Sequence, residues 1–185
     1  MTDRADDILT LCNIRREDPE LKIIEKINEE AFPSSERLST EQMFAFVERT
    51  DASVFGIYHR KELAGFAMTV QNAECVYIFF LAIRREFRRQ GLGKLAVEAL
   101  FQEFSGRQVI LDFEELDPLS ENYPQRVRRK AFYLRCGFHE TGRYTMLRGE
   151  RFEVVCSGEK LDEYSFLALI KTIHSFLPEF PELLI

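Results

Sequence analysis

The sequence of 185 residues contains no tryptophan and only four cysteines, which lie far apart. Cys12, Cys75, Cys136 and Cys156 form no C-x-x-C pair, and no cluster of histidine and cysteine has the spacing of a zinc site. We therefore expect four reduced thiols and no bound metal.

Long apolar segments are also missing. No apolar run approaches the ~20 residues that a membrane-spanning helix needs, and the acidic segment Met1–Asp7 lacks the apolar core of a signal peptide. The formal net charge of −6 argues against non-specific nucleic-acid binding and is compatible with a cationic acceptor such as an amine. The expectation is a cytoplasmic protein with no membrane contact, built as one domain over residues 1–185.

The most informative stretch runs from Cys75 to Phe104. It opens with nine uncharged residues, CVYIFFLAI, which are typical of a strand buried on both faces. A basic connector with two glycines follows, and then apolar residues recur at helical spacing: Leu92, Leu95, Ala96, Ala99 and Leu100. The pattern predicts a strand, a basic glycine-containing turn and a helix.

Such a turn can bind an anion. A helix N-terminus has unpaired N–H groups and partial positive charge, so phosphates bind there readily. Glycine allows close backbone approach, and Arg88, Arg89 and Lys94 add full positive charge. We interpret the connector as a pyrophosphate cradle. The alternative is an ordinary strand-to-helix turn with solvated arginines.

Two motifs resemble those of the GNAT superfamily of N-acetyltransferases. Arg88–Gly93, with the sequence Arg-Arg-Gln-Gly-Leu-Gly, is similar to its acetyl-coenzyme A signature, Arg/Gln-x-x-Gly-x-Gly/Ala. Ala131–Phe138 resembles a second motif, a helix that ends in Tyr-x-x-x-Gly-Phe. The resemblance implies an acyltransferase with acetyl-coenzyme A as co-substrate. The acetyl group would move to a primary amine of a small molecule or a protein N-terminus in a direct ternary complex.

The fold expected from this resemblance is α/β (α+β), with a mixed, mostly antiparallel central sheet flanked by helices. Along the chain we predict strands at 8–14, 52–58, 63–70, 75–83, 108–114, 142–147 and 151–156, with a turn at 148–150 between the last two. Helices are predicted at about 21–31, 40–48, 92–104, 124–136 and 161–177. The last helix lies beyond the usual GNAT core. It leaves three options open: packing on its own sheet, covering the acceptor site, or a homodimer contact.

The resemblance also implies binding residues. Leu81 and Ile83 would be backbone partners of the pantetheine arm. The pyrophosphate would be held, chiefly through N–H groups, by Arg88, Arg89, Gln90, Gly91, Leu92, Gly93 and Lys94. The loop between the two early helices commonly lines the acceptor site in this family, which makes Phe32, Glu36 and Arg37 candidate acceptor contacts. The alternative for these three is a solvated loop.

The catalytic candidates are Tyr133 and Glu114. Tyr133 matches the tyrosine that protonates the departing sulfur in many members, and a phenol pKa near ~10 is close to that of a thiol at ~8.5. Some histone-type members carry a glutamate base where this chain has Tyr77, which we assign to the acceptor site. Glu114 matches the base of ribosomal-protein alanine acetyltransferases, and Glu74 is a weaker candidate. The alternatives are a packed aromatic for Tyr133 and a solvated Glu114–Glu115 pair.

Two departures from the family pattern keep another function open. The central-strand glutamate is absent, and Arg126 stands where many members have an asparagine. A non-catalytic acyl-coenzyme A-binding or protein-interaction domain is therefore the alternative. A nucleotide-binding module is disfavoured, because Gly91-x-Gly93 lacks a third glycine and no Gly-Lys-Ser/Thr follows.

Overall fold

The structure, a computed structural model, describes residues 9–178 and the backbone of residues 182–184. The expectations for Met1–Asp7, and for Ile8 as the start of the first strand, lie outside the described residues. The chain forms two compact units. The first comprises the chain up to Val70 together with Ile78–Ser105, and the second comprises Gln71–Tyr77 and the chain from Gly106 onward.

The first unit contains four neighbouring strands. In hydrogen-bonded order these are β1 (Leu9–Asn13), β2 (Ala52–His59), β3 (Glu62–Gln71) and β4 (Cys75–Ile83). Its helices are α1 (Leu21–Ala31), α2 (Thr40–Val47) and α3 (Leu92–Glu103), and a single 3-10 turn, Arg85–Phe87, precedes α3. The β1–β2 and β2–β3 pairs are both antiparallel, and a two-residue turn, Arg60 and Lys61, joins β2 to β3.

The helix boundaries follow from local chemistry. Ser39 and Gln42 form the predicted capping box at the start of α2, each side chain bonding the other residue's backbone N–H. Helix α1 ends where Phe32 takes an extended conformation before Pro33, because proline disfavours helix for the residue that precedes it. Both boundaries confirm the prediction.

The second unit contains the first three residues of β4 and four further strands. In hydrogen-bonded order these are β4, β5 (Gln108–Glu114), β7 (Glu150–Cys156), β6 (His139–Leu147) and β8 (Glu182–Leu184). Helix α4 spans Tyr123–Arg135 and α5 spans Glu163–Phe176. Strands β4 and β5 are parallel over three pairs, from Cys75–Gln108 to Tyr77–Ile110, and the remaining pairs are antiparallel. The prediction of a mixed, mostly antiparallel sheet with helices is confirmed.

Three details differ from the sequence prediction. The β6–β7 turn has two residues, Arg148 and Gly149, both with positive φ, rather than the predicted three. Strand β6 begins at His139, earlier than predicted, because an irregularity between Glu140 and Arg143 interrupts its pairing without ending it. Strand β8 and the 3-10 turn before α3 were not predicted.

Helix α5 packs within its own unit. Asp162 caps it by accepting a hydrogen bond from the Ser165 N–H. The fully buried Phe166 ring lies 5.6 Å from the ring of Tyr77. Of the three options for this helix, packing on its own chain is therefore observed. No helix in the described part of the chain is long and apolar enough to cross a membrane.

Gly65 makes a close backbone approach between β3 and β4 possible. A Cβ at this position would overlap the carbonyl oxygen of Ala82 and would lie 3.2 Å from the Cα of Ile83. Gly65 thus lets the end of β4 approach β3, and the Arg84 N–H donates to the Ala64 carbonyl alongside it at 2.8 Å. The position of Leu81 and Ile83 depends on this contact.

We predict that Gly65→Ala lowers the free energy of unfolding by about 1–3 kcal/mol, because the backbone must move to accept the methyl group. The matched control is Gly56→Ala. A Cβ there meets only side-chain ends, those of Tyr58, Ile14 and Leu63, which can rotate. Urea unfolding of both variants measures the difference. Equal stability of the two variants would contradict the prediction.

Candidate active site

The end of β4 is held in place by Arg84. Its guanidinium donates to the Leu63 carbonyl at 2.8 Å, pairs with Glu62 and Glu86, and lies 5.4 Å from the ring centroid of Phe87. These contacts span both sides of the strand end, so the connector leaves β4 in a defined direction.

The predicted pantetheine residues Leu81 and Ile83 lie at this end of β4 and are partly exposed. They alternate with the buried Phe80 and Ala82, as expected for a strand. The Ile83 carbonyl accepts a hydrogen bond from Arg88 Nε at 2.8 Å. This bond folds the connector back onto the strand that precedes it.

The connector then reaches the N-terminus of α3 through two left-handed residues. Arg89 has φ 65° and Gly91 has φ 79°. Gly91 is the N-cap, and its carbonyl accepts hydrogen bonds from the N–H groups of Lys94 and Leu95. The preceding N–H groups therefore lie ahead of the first helical hydrogen bond, at the positive end of the helix dipole. A Cβ at Gly91 would have no atom within 4 Å, so this helix end faces open space.

The side chains around this helix end are basic and exposed. Arg88, Arg89 and Lys94 all lie at the surface, and Lys94 Nζ is 3.5 Å from Glu98. Gln90 donates to the Glu86 carbonyl at 2.9 Å and so stabilises the loop rather than extending from it. Open space, unpaired N–H groups and positive charge together fit a pyrophosphate.

The loop after α1 carries the predicted acceptor contacts of the first unit. The Phe32 ring packs edge-on against Phe80 at 5.0 Å and Phe66 at 6.5 Å. The Arg37 guanidinium donates to the carbonyls of Glu29 and Phe32, both at 3.3 Å. Glu36 is partly exposed beside them. Phe32 and Arg37 are thus packed or hydrogen-bonded, whereas residues 33–35 are exposed, and the acceptor role of this loop stays a prediction.

In the second unit, Tyr133 lies on α4 among aromatic rings. It stacks on Phe113 at 5.6 Å and meets Phe132 and Phe138 edge-on. Burial raises the pKa of the Tyr133 phenol to about 12, although the positive charge of Arg129 acts in the opposite direction. The hydroxyl therefore keeps its proton throughout the physiological range.

Glu114 lies at the end of β5 and is only 8% exposed. Its Oε2 forms an ion pair with Arg129 on α4, and its Oε1 is 3.5 Å from the Asn122 amide nitrogen. The neighbouring Glu115 pairs with Arg151 at 3.4 Å. The two glutamates are therefore not a solvated pair.

Arg126, at the position where many family members have asparagine, closes the loop between β5 and α4. Its Nε donates to Asn122 Oδ1 at 2.8 Å, and its Nη1 donates to the Glu115 carbonyl at 2.9 Å. The Nη2 atom lies 3.7 Å from Glu150. These contacts give this arginine a structural role at the base of the loop.

Sequence reasoning missed a polar cluster centred on Asp112. The buried Tyr77 donates from its hydroxyl to Asp112 Oδ1 at 2.9 Å, and the hydroxyl of the buried Thr145 donates to Oδ2. Burial raises the pKa of Asp112 to about 6, and the two hydrogen bonds partly oppose that rise. The sequence contained one signal, a single charged residue within the otherwise apolar segment Val109–Phe113.

The three buried cysteines are Cys75, Cys136 and Cys156, and Cys12 is exposed. Burial raises the pKa of the Cys75 thiol to about 12, so the thiol stays protonated and is a poor nucleophile. Among the residues that the structure describes, no group of three or more His, Cys, Asp or Glu side chains is placed to hold a metal ion.

The comparison with protein families identifies the class of this protein. The model of the acetyltransferase (GNAT) family matches residues 20–138, which is more than half of the chain. The chain therefore belongs to the GNAT acetyltransferase family and is an acyltransferase. No curated protein matches the chain.

Solved structures share the fold. A protein from Bacteroides thetaiotaomicron described as a GNAT-family acetyltransferase has a TM-score of 0.74 at 22% identity, covering 92% of this chain and 98% of that one. The ribosomal-protein-S18-alanine N-acetyltransferase of Escherichia coli has a TM-score of 0.57 at 22% identity, with coverage of 83% and 99%. A GNAT acetyltransferase from Elizabethkingia anophelis, solved with acetyl-coenzyme A bound, has a TM-score of 0.57 at 12% identity, with coverage of 81% and 97%.

We predict that Asp112→Asn stabilises the protein at neutral pH. The pKa of Asp112 is raised on folding from 3.8 to about 6, so its charged form is disfavoured in the folded state. The folded protein holds the proton more tightly than the unfolded chain, and stability is therefore lost as the pH rises from about 4 to above 6. Removing the charge should recover up to about 3 kcal/mol at pH 7 and nothing at pH 4.

Urea unfolding at pH 4 and at pH 7 measures this difference. Glu121→Gln, at an exposed carboxylate in the loop before α4, is the control and should change stability little at either pH. A stability gain for Asp112→Asn that is the same at both pH values would show that the charge is not its source.

Proposed function

We propose that this chain transfers the acetyl group of acetyl-coenzyme A to a primary amine in a direct ternary complex. The observation that carries the proposal is the N-terminus of α3, where Gly91 faces open space beside exposed basic side chains. Membership of the GNAT acetyltransferase family supports the reaction class.

The cradle would hold the pyrophosphate of the co-substrate. The N–H groups of Leu92 and Gly93 provide hydrogen-bond donors, and Arg88, Arg89 and Lys94 provide charge. Leu81 would contact the pantetheine arm through its backbone. The Ile83 carbonyl already accepts from Arg88, so Ile83 would serve mainly by fixing the connector.

Acetyl-coenzyme A supplies an activated acyl group as a thioester. The proposed role of Tyr133 is to donate its hydroxyl proton to the departing sulfur. The phenol pKa of about 12 means that the proton is present before the reaction, and positioned proton transfer typically contributes 10²–10⁴-fold. A cysteine acyl-enzyme is not part of the proposal, because the Cys75 thiol is buried and protonated.

The acceptor belongs to one of two chemical classes, a small-molecule amine or the N-terminus of a peptide. The similarity to the S18-alanine N-acetyltransferase fold supports testing a peptide N-terminus first. Phe32 and Glu36, on the loop after α1, are the proposed acceptor contacts in the first unit. The four free thiols are compatible with the reducing cytoplasm, which remains the proposed location.

The cradle assignment predicts that Gly91→Glu weakens the binding of acetyl-coenzyme A. Wild-type protein should bind with micromolar affinity, and the variant should bind at least tenfold more weakly, because it places bulk and negative charge where the pyrophosphate would lie. Titration calorimetry with acetyl-coenzyme A measures both.

Gly106→Glu is a closely matched control. Gly106 also has positive φ, at 88°, and also faces open space, but it follows the opposite end of α3. The control therefore carries the same backbone strain and charge and should bind like the wild type. Equal losses in the two variants, or no binding by wild-type protein, would refute the cradle.

The proposed acid role predicts that Tyr133→Phe lowers kcat by about 10²-fold or more, with the Kd for acetyl-coenzyme A unchanged. Phenylalanine preserves the stacking on Phe113, so the fold should be retained. Thiol release during amine acetylation measures kcat, and Tyr123→Phe on the same helix is the control. A Tyr133→Phe variant with wild-type kcat would leave this residue only a packing role.

A further inference from the structure

Two carboxylates lie on the same face of β5, two residues apart, and their partners differ in charge. Glu114 is paired with the guanidinium of Arg129. Asp112 accepts hydrogen bonds from two neutral hydroxyls, those of Tyr77 and Thr145, and no cation among the described residues pairs with it. An arginine partner favours the charged form of a carboxylate and weakens it as a base, whereas neutral donors leave it more basic.

The position of Asp112 follows from the register of the sheet. Parallel pairing between β4 and β5 ends at Tyr77 and Ile110. Asp112 is the next residue of β5 on the same face as Ile110, just beyond the last pair. The Tyr77 side chain extends from the end of this pairing to the Asp112 carboxylate.

The two donors approach Asp112 from the protein interior. Tyr77 is only 2% exposed and Thr145 is fully buried, and Phe166 of α5 packs against the Tyr77 ring. Asp112 itself is partly exposed. Each carboxylate oxygen accepts one hydroxyl and has a further lone pair available. The carboxylate is thus oriented by buried groups, while part of the residue reaches the surface.

We propose that Asp112, rather than Glu114, accepts the proton of the acceptor amine, and that Tyr77 and Thr145 orient its carboxylate. Glu114 then acts as the anchor for Arg129 on α4. This inference rests on the proposed acetyl transfer. It also changes the role of Tyr77, which serves the acceptor site through Asp112 rather than by direct contact.

The proton balance of this step is complete. The ammonium N–H bond breaks and an O–H bond forms on Asp112, which leaves a neutral amine. The amine nitrogen bonds to the acetyl carbon as the C–S bond breaks, and the Tyr133 hydroxyl proton goes to sulfur. The nitrogen then loses its second N–H proton, which passes through water to the Tyr133 phenolate and restores the phenol, and the amide and the free thiol leave. Asp112 releases its proton to water, so one proton is released for each amide formed.

The raised pKa of Asp112 agrees with its role as the base, which rests on the contacts described above. A pKa of about 6 leaves the carboxylate charged at pH 7 and more basic than an ordinary aspartate. The titratable groups that face it are Tyr77 from β4 and Tyr133 from α4, whose phenol pKa is itself raised in part by the Asp112 charge. The next carboxylate along the strand, Glu114, is already paired with Arg129.

The test is the pH dependence of kcat/KM between pH 5 and 9, with acetyl-coenzyme A and an amine probe. The probes are a peptide with N-terminal alanine, spermidine and tobramycin, and the one acetylated fastest is used. Wild-type protein should show an acidic limb with a midpoint near about 6, separate from the titration of the amine itself.

Three variants identify the group whose titration produces this acidic limb of the pH profile. Asp112→Asn should remove it and lower kcat/KM at pH 7.5 by about 10²-fold or more, while any limb from the amine persists. Thr145→Val removes one donor to the carboxylate and should move the midpoint upward by about one pH unit. Glu114→Gln should leave the midpoint in place, whatever its effect on the rate. Urea unfolding checks that each variant is folded.

Several results would overturn the inference. A limb that keeps its midpoint in Asp112→Asn, or that disappears only in Glu114→Gln, would assign the base elsewhere. An Asp112→Asn rate within threefold of wild type would do the same. If wild-type protein binds acetyl-coenzyme A but acetylates none of the probes, the proposed function fails and this inference fails with it. If the Asp112→Asn variant keeps its turnover, the role of Asp112 as the base is wrong, and the proposed acetyl transfer still stands.

Discussion

The close backbone approach of β3 and β4 at Gly65 is the constraint on which the first unit depends. Because no Cβ separates the strands there, the end of β4 lies against β3, and Arg84 can reach the Leu63 carbonyl. The connector then folds back through the bond from Arg88 to Ile83, and Gly91 starts α3 in a left-handed conformation. The direction of the helix N-terminus, and so the position of the proposed pyrophosphate cradle, follows from a contact in a different strand.

The second unit is organised around charge rather than backbone contact. Lone charges are costly to bury, so each carboxylate of β5 has a partner. Glu114 has a guanidinium, which stabilises its charged form, and Asp112 has only hydroxyls, which stabilise it less. The two acids of this strand thus have partners of different charge, and this difference supports the division of roles that we propose for them.

Much of the fold could be predicted from sequence, because strands β4 and β5 have strong local signals. Uninterrupted apolar residues set the bounds of β4, and Ser39 with Gln42 set the start of α2. The β6–β7 turn was predicted one residue too long, because Arg148 adopts a positive φ that is uncommon for residues other than glycine. The Asp112 cluster was missed because its partners lie 35 and 33 residues away along the chain. Local patterns carry no information about such pairings.

The contacts of Arg126 have a consequence for how this protein can diversify. Its side chain joins the residue that begins the loop after β5, Glu115, to the residue that ends it, Asn122. The tip between them carries little of the fold, and Leu119 there is 93% exposed. Insertions at the tip would change the surface offered to other molecules while the helix carrying Tyr133 stays anchored. Arg126 thus separates an exposed loop tip, where changes in length cost little, from the helix that carries the proposed catalytic tyrosine.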